Sequence, residues 1–201
     1  MFCFFTLVKK HFLILFGSFI RKGKQRMKNK KFEISTKTMT YMAIFAALQI
    51  VLEYLTQFTP TMPNGGNISF SLVALMLCSY LMGACYGLIV SLICVGLHFV
   101  LGLATFYGPL SLMFDYLVPL AIVGLIGFIP FLRIGKFEFP IGIIIVMVLK
   151  TICHLISGWY AFATPLEANL TYNVPYNLAT LVTCFVLFMI LYPRLNKMIR
   201  V

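Results

Sequence analysis

The chain has 201 residues, 61% hydrophobic and 10% charged, with a mean hydropathy of +0.98. Soluble domains carry charge on roughly 25% of their residues, so this composition excludes one and describes a membrane protein. The net charge of +11 comes from 16 Lys and Arg against 5 Asp and Glu.

Ten of the bases (Lys9, Lys10, Arg21, Lys22, Lys24, Arg26, Lys28, Lys30, Lys31 and Lys37) lie in the first 37 residues. A basic N-terminal segment, 1–37, thus precedes a membrane region, 38–200, in which residues 54–132 hold one formal charge, Asp115. Within the first segment, the apolar stretch Met1–Ile20 is broken by Lys9, Lys10 and His11 into runs too short to span a bilayer. It lacks the small-residue cleavage site of a signal peptide. Residues 1–26 therefore read as an interfacial amphipathic segment or as an upstream extension, Met27 being an equally good start.

A helix needs about 20 apolar residues to cross a bilayer. The membrane region accordingly predicts an all-α, six-helix bundle, with helices at 38–56, 68–82, 84–104, 110–132, 139–162 and 174–192. Pro60, Pro63, Asn64, Gly65 and Gly66 separate the first two helices. Gly83 marks the next turn, Gly108-Pro109 the third, Arg133 to Pro140 the fourth, and Thr164-Pro165 through Pro175 the fifth.

Cytoplasmic loops concentrate Lys and Arg. With both termini inside, fifteen of the sixteen bases fall on the inner side, and the remaining one, Lys150, falls within the fifth helix. The positive charge is a topology signal, so a lipid bilayer and no nucleic acid is the expected partner. The localisation is a cell membrane, crossed many times.

Ionisable groups inside a bilayer are costly and mark ligand sites, ion paths or buried pairs. Here they are Glu53, His98, Asp115, Lys150 and His154. Glu53, near the outer end of the first helix, reads as a headgroup-level residue, and His98 as a packing or interhelical hydrogen-bonding group. Lys150 and His154, four apart, share a helix face that Ser157 and Gly158 continue. Phe106, Tyr107, Phe114, Tyr116, Trp159, Tyr160, Phe162, Tyr172 and Tyr176 crowd the outer half, with Asn173 and Asn177 beside them. Part of this set fits an aromatic belt at the interface.

The remainder suits a cavity for a cationic or mixed-polarity organic molecule: a carboxylate for the charge, aromatic faces for cation–π contact, and amides for heteroatom edges. Asp115 and Lys150 pairing only with each other is the structural alternative. A small-residue stripe, Ala43-x-x-x-Ala47 with Ala46 beside it, offers a close helix approach near the cytoplasmic side. The scattered cysteines read as packing residues. With no nucleotide-binding loop, nucleophile elbow or paired-His metal motif, neither enzyme activity, a metal nor a cofactor is expected.

Residues 37–200 resemble the thiamine-specific S-component of energy-coupling factor (ECF) transporters. The resemblance rests on Ala43-Ile44-Phe45-Ala46-Ala47, Pro63-Asn64-Gly65-Gly66-Asn67-Ile68-Ser69, Phe114-Asp115-Tyr116, Lys150-x3-His154-x2-Ser157-Gly158 and Tyr172-x3-Tyr176-Asn177, in this order. It implies a vitamin-binding membrane subunit, open to the outside, that docks through Ala43 and Ala47 on a transmembrane coupling protein driven by two ATPase subunits. Asp115 would face the cationic ring system of thiamine. Tyr116, Lys150, His154, Tyr172 and Asn177 would line the pocket, with stacking from Tyr116, Trp159, Phe162 or Tyr172.

Two positions depart from the family pattern: Asp115 stands where Glu is frequent, and Phe162 where Trp is common. The nearest rival reading is the same fold with riboflavin, biotin or a thiamine precursor. A rival of another class is a small intramembrane enzyme using His98, Asp115 and His154.

Overall fold

A helix start exposes backbone N–H groups that a Ser-x-x-Thr pair can satisfy. In the computed structural model, which describes residues 32–59, 66–134 and 137–199, Ser35 and Thr38 do this. Thr38 N–H donates to Ser35 Oγ at 3.2 Å and Ser35 N–H to Thr38 Oγ1 at 2.8 Å, opening α1 (Thr36–Thr56). Residues 1–26, and Pro63, Asn64 and Gly65 of the loop after α1, lie outside the described residues.

The next helices are α2 (Leu72–Met82) and α3 (Ala84–Val100), joined through Gly83 at φ 124°, a conformation that favours glycine. The fourth span, α4, runs from Pro109 to Phe128. A two-stranded antiparallel hairpin follows, β1 (Leu132–Ile134) and β2 (Phe137–Phe139), with Arg133 opposite Glu138 and their side chains ion-paired at 2.5 Å. Then come α5 (Ile141–Tyr160) and α6 (Leu166–Met198). The six helices match the expected number.

α1, α4, α5 and α6 are each long and apolar enough to cross a membrane, whereas α2 and α3 have 11 and 17 residues. α2 is apolar all round, and every residue in it except Tyr80 is buried. Such a helix belongs at the centre of a bundle; α1, α3, α4 and α6 pack against it. The sequence predicts this helix from residue 68, but residues 66–70 are non-helical. Irregular backbone is tolerated at membrane depth only where protein satisfies it, and α6 does so here. Thr180 Oγ1 accepts from Ser69 N–H at 3.2 Å, Cys184 Sγ lies 3.4 Å from Ser69 O, and Tyr172 hydroxyl accepts from Gly66 N–H at 2.6 Å.

α6 also departs from expectation. Pro165 and Pro175 read as loop boundaries, yet the helix starts at Leu166 and carries Pro175 inside it. Its N-terminal half buries Asn169, Asn173, Tyr176, Asn177 and Thr180, a polar row at helical spacing. The row is tied together and to α5: Asn169 Nδ2 donates to Leu155 O at 2.8 Å, Asn173 Nδ2 to Asn169 Oδ1 at 2.5 Å, and Asn177 Nδ2 to Asn173 O at 2.8 Å.

The outer surface is what lipid requires: Ile44, Leu48, Val51, Val148, Ile152, Val182, Val186 and Ile190 are all exposed. Inside, α3 and α4 cross at Gly87 and Gly124 so closely that a Cβ on Gly87 would lie 2.3 Å from Gly124 O. Ser79 of α2 locks the crossing, its Oγ donating to Gly124 O at 2.6 Å and accepting from Gly127 N–H at 2.9 Å.

Gly87→Leu is therefore expected to destabilise the detergent-purified protein by about 1–3 kcal/mol, the range for overpacking a close contact. Gly96→Ala is the control: its Cβ meets nothing within 4 Å, and it should be neutral or stabilise by up to about 1 kcal/mol. Thermal denaturation midpoints read both.

Candidate functional site

Pro119 has no N–H to give the Asp115 carbonyl four residues earlier, and its ring crowds that carbonyl. The chain answers with a wider, π-helical turn over Leu112–Leu117, in which Val118 N–H bonds back to Met113 O. Such turns recur at functional sites, and this one carries Asp115. The carboxylate is held on both oxygens. Oδ2 accepts from Ser111 Oγ and Ser157 Oγ, each at 2.7 Å, while Oδ1 lies 3.3 Å from His154 Nδ1.

An Nδ1–H directed at the carboxylate leaves Nε2 of the neutral ring as an acceptor. Nε2 is buried and has no hydrogen-bond partner among the described residues.

Lys150, one turn earlier on α5, is buried, and its Nζ donates to Asn177 Oδ1 at 2.7 Å. It also sits over the Tyr176 ring, 5.9 Å from the centroid. The structure thus decides against an exclusive Asp115–Lys150 pair: the carboxylate takes His154 and the ammonium takes Asn177. Gly158 makes the α5–α6 approach possible, because a Cβ there would lie 2.3 Å from Asn169 Oδ1.

Ser111, Asp115, Lys150, His154, Gly158 and Tyr176 border one cavity of about 450 Å³, lined by α1, residues 66–72, the C-terminal ends of α3 and α5 and the N-terminal ends of α4 and α6. All of these ends lie opposite the hairpin and the base-rich C-terminus, so the cavity belongs to the side that the charge count places outside.

Of the expected site residues, Asp115, Tyr116, Lys150, His154, Phe162 and Tyr172 line the cavity. Tyr116 packs edge-on against Phe99 at 5.2 Å, Phe162 against Tyr107 at 5.4 Å, and Tyr172 against Tyr176 at 5.6 Å. Asn177 is not on the cavity wall; it stands one layer behind, bonded to Lys150. Trp159 is a correction: it is 51% exposed and not on the cavity wall. Five residues beyond His154 on a helix of 3.6 residues per turn, it points away from the lining face.

Glu53 is a second correction. It does not stand apart at headgroup level but lines the cavity, where Ser69 Oγ donates to its Oε2 at 3.2 Å and Ser71 Oγ donates to the same atom. Ser71 continues to Gln49 at 3.3 Å, and Gln49 to His98 at 3.0 Å. His98, on this chain of contacts, lines the same cavity as Asp115 and His154, but its hydrogen bonds go to Gln49 and not to either of them. Among the described residues no cluster of three or more His, Cys, Asp or Glu could hold a metal ion. Asn173 and Tyr176 of the outer-half set line the cavity too, and so does Asn169, which a loop reading of Thr164 to Pro175 hides although Asn at 169, 173 and 177 repeats every four residues.

An apolar exterior, six helices and a cavity with convergent polar groups on the base-free side define a multi-pass membrane protein with a small-molecule binding site. The chain belongs to the thiamine transporter protein family (Thia_YuaJ), which it matches over residues 39–200. It is similar to the thiamine transporter ThiT of Bacillus subtilis (strain 168), 27% identical over 176 residues that cover 78% of this chain and 92% of that protein. Its fold is similar to that of ThiT from Listeria monocytogenes, with a TM-score of 0.63, 18% identity, and coverage of 80% of this chain and 95% of that one. It is also similar to the S component of a bacterial ECF transporter, with a TM-score of 0.62, 21% identity, and coverage of 81% and 96%. The expected bundle class is the observed one.

Proposed function

We propose that this chain is the substrate-binding S component of an ECF-type uptake transporter, that its ligand is thiamine, and that it performs no chemistry on it. The observation that carries the reading is the cavity with Asp115 on one wall and aromatic residues around it, in a chain of the thiamine transporter family. Thiamine combines a permanently cationic thiazolium ring, an aminopyrimidine and a hydroxyethyl arm. Asp115 compensates the cationic ring. Tyr116, Phe162 and Tyr172 offer faces and edges to the two rings. The acceptor His154 Nε2 receives an N–H or O–H donor of the ligand, ending its unpartnered burial. Lys150, held by Asn177, supplies donors to ring nitrogens or the hydroxyl.

Energy for release comes from elsewhere, since the chain has no nucleotide-binding motif. The docking face of the reading is α1. Ala43 and Ala47 are exposed on it, whereas Ala46 faces the bundle core. The stripe thus splits into a packing residue and two outward positions where a coupling protein's helix can approach closely.

Calorimetric titration of the purified protein should show thiamine binding, with no heat from riboflavin or biotin; the reverse pattern contradicts the ligand assignment. Asp115→Asn should weaken thiamine binding by about 10- to 100-fold, the equivalent of about 1.5–3 kcal/mol for a charged contact; an unchanged affinity would remove Asp115 from the site. Ala43→Trp with Ala47→Trp should leave thiamine affinity within about twofold, a change below 0.5 kcal/mol. Cellular uptake through the ECF module should be abolished, and full uptake in that variant would move the docking face elsewhere.

A further inference from the structure

A cavity that admits a ligand has a mouth, and the exposure of its lining residues says where. Among the described lining residues Tyr107, Phe162 and Ala168 are exposed, and the others are buried or half-buried. Tyr107 belongs to the α3–α4 loop and Phe162 to the turn after α5. Their rings meet edge to face, with centroids 5.4 Å apart and planes at 67°. Rings that line the cavity and are also open to the outside stand at its mouth.

The two sides of this contact are held differently. The end of α5 fixes Phe162: its N–H donates to Ser157 O at 3.3 Å, and Thr164 N–H donates to Gly158 O at 2.9 Å. Residues 105–107 make one hydrogen bond among the described residues, from Thr105 N–H to the Tyr116 hydroxyl at 3.4 Å, besides the Tyr107 ring contact. Their loop turns at Gly102 (φ 70°) and Gly108 (φ 114°), where a Cβ would meet nothing within 4 Å. A segment with so few buried contacts opens locally at low cost. Both of its attachments, Tyr116 and Phe162, are residues that line the cavity.

We propose that Tyr107 and Phe162 form an aromatic clasp across the mouth, and that Tyr107 slows escape of the ligand by closing the 103–107 loop on the end of α5. The inference rests on the reading of the cavity as the thiamine site. An edge-to-face pair is directional yet weak, so it breaks and remakes without unfolding either loop. Its effect falls on the rate of departure, the step in which differences between related binding sites are mostly expressed. A side chain that is 61% exposed, as Tyr107 is, could also serve as a plain interfacial anchor, but an anchor has no influence on that rate.

The test is a chase of radiolabelled thiamine from the purified full chain by unlabelled thiamine, for wild type, Y107A, Y107F, F162L and Y107A/F162L, with the ligand-free thermal midpoint of each. Y107A is expected to release thiamine about tenfold faster than wild type, and Y107F, which keeps the ring, within about twofold of it. The ligand-free midpoint should not move in Y107A, a substitution at an exposed position. In the F162L background, which keeps apolar bulk but no ring, Y107A should add less than about twofold. Release from Y107A within about twofold of wild type would make Tyr107 an anchor only and overturn the proposal. So would an equal acceleration in both backgrounds, which would mean that Tyr107 acts on the ligand or the fold without Phe162. Absence of thiamine binding by the wild type would overturn the ligand assignment, and the inference with it.

Discussion

A carboxylate in the middle of an apolar bundle must be satisfied by protein, and the outer half of this molecule is organised around meeting that requirement for Asp115. One oxygen takes two serine hydroxyls, from its own helix and from α5; the other faces His154. The consequence reaches further than the carboxylate. With Nδ1 committed to Asp115, Nε2 of the imidazole is left buried without a hydrogen-bond partner among the described residues, on a residue that lines the cavity.

The same economy governs α6. A row of amides would be expensive in lipid, but here each is engaged, by its neighbour one turn away or by the α5 backbone. Gly158 lets α5 come close enough for Asn169 to reach the Leu155 carbonyl. The row ends in Asn177, which fixes Lys150. Farther along, Thr180 and Cys184 support the irregular backbone before α2. That backbone carries Ser69 and leads into Ser71, the partners of Glu53. One polar face of α6 thus holds Lys150, on the α5 face that carries the Asp115 partner His154, and the segment that carries the partners of Glu53.

How much of this could be read from the residues follows from which signals are local. Apolar run length and Pro/Gly punctuation suffice for the number of helices, and the position of Lys and Arg for the expected orientation, because neither signal depends on tertiary contacts. The face shared by Lys150, His154, Ser157 and Gly158 was legible because four-residue spacing is a helical property. Asp115 stood out through isolation alone. The failures are equally physical. Pro175 was read as a break, since propensity cannot register the tertiary contacts that keep α6 helical through it. Glu53 was placed at the membrane surface because its position near a helix end says nothing of Ser69 and Ser71, brought to it by a non-helical segment. Trp159 was drawn into the site by residue type, when its helical angle turns it outward. Arg133 to Pro140 reads in sequence only as a boundary between helices, because the hairpin's cross-strand Arg133–Glu138 pair is visible only once the register is known.

The central claim is that Asp115 holds the cationic ring of thiamine inside the cavity while His154 Nε2 gains the partner it lacks. An experimental structure of the thiamine-bound protein tests this most directly. The account expects the thiazolium ring within about 4–6 Å of the Asp115 carboxylate, the range over which an opposite charge acts strongly, and a ligand donor within about 3.2 Å of His154 Nε2. Thiamine bound elsewhere, or bound in this cavity with its cationic ring turned away from Asp115 and His154 still unpartnered, would contradict it.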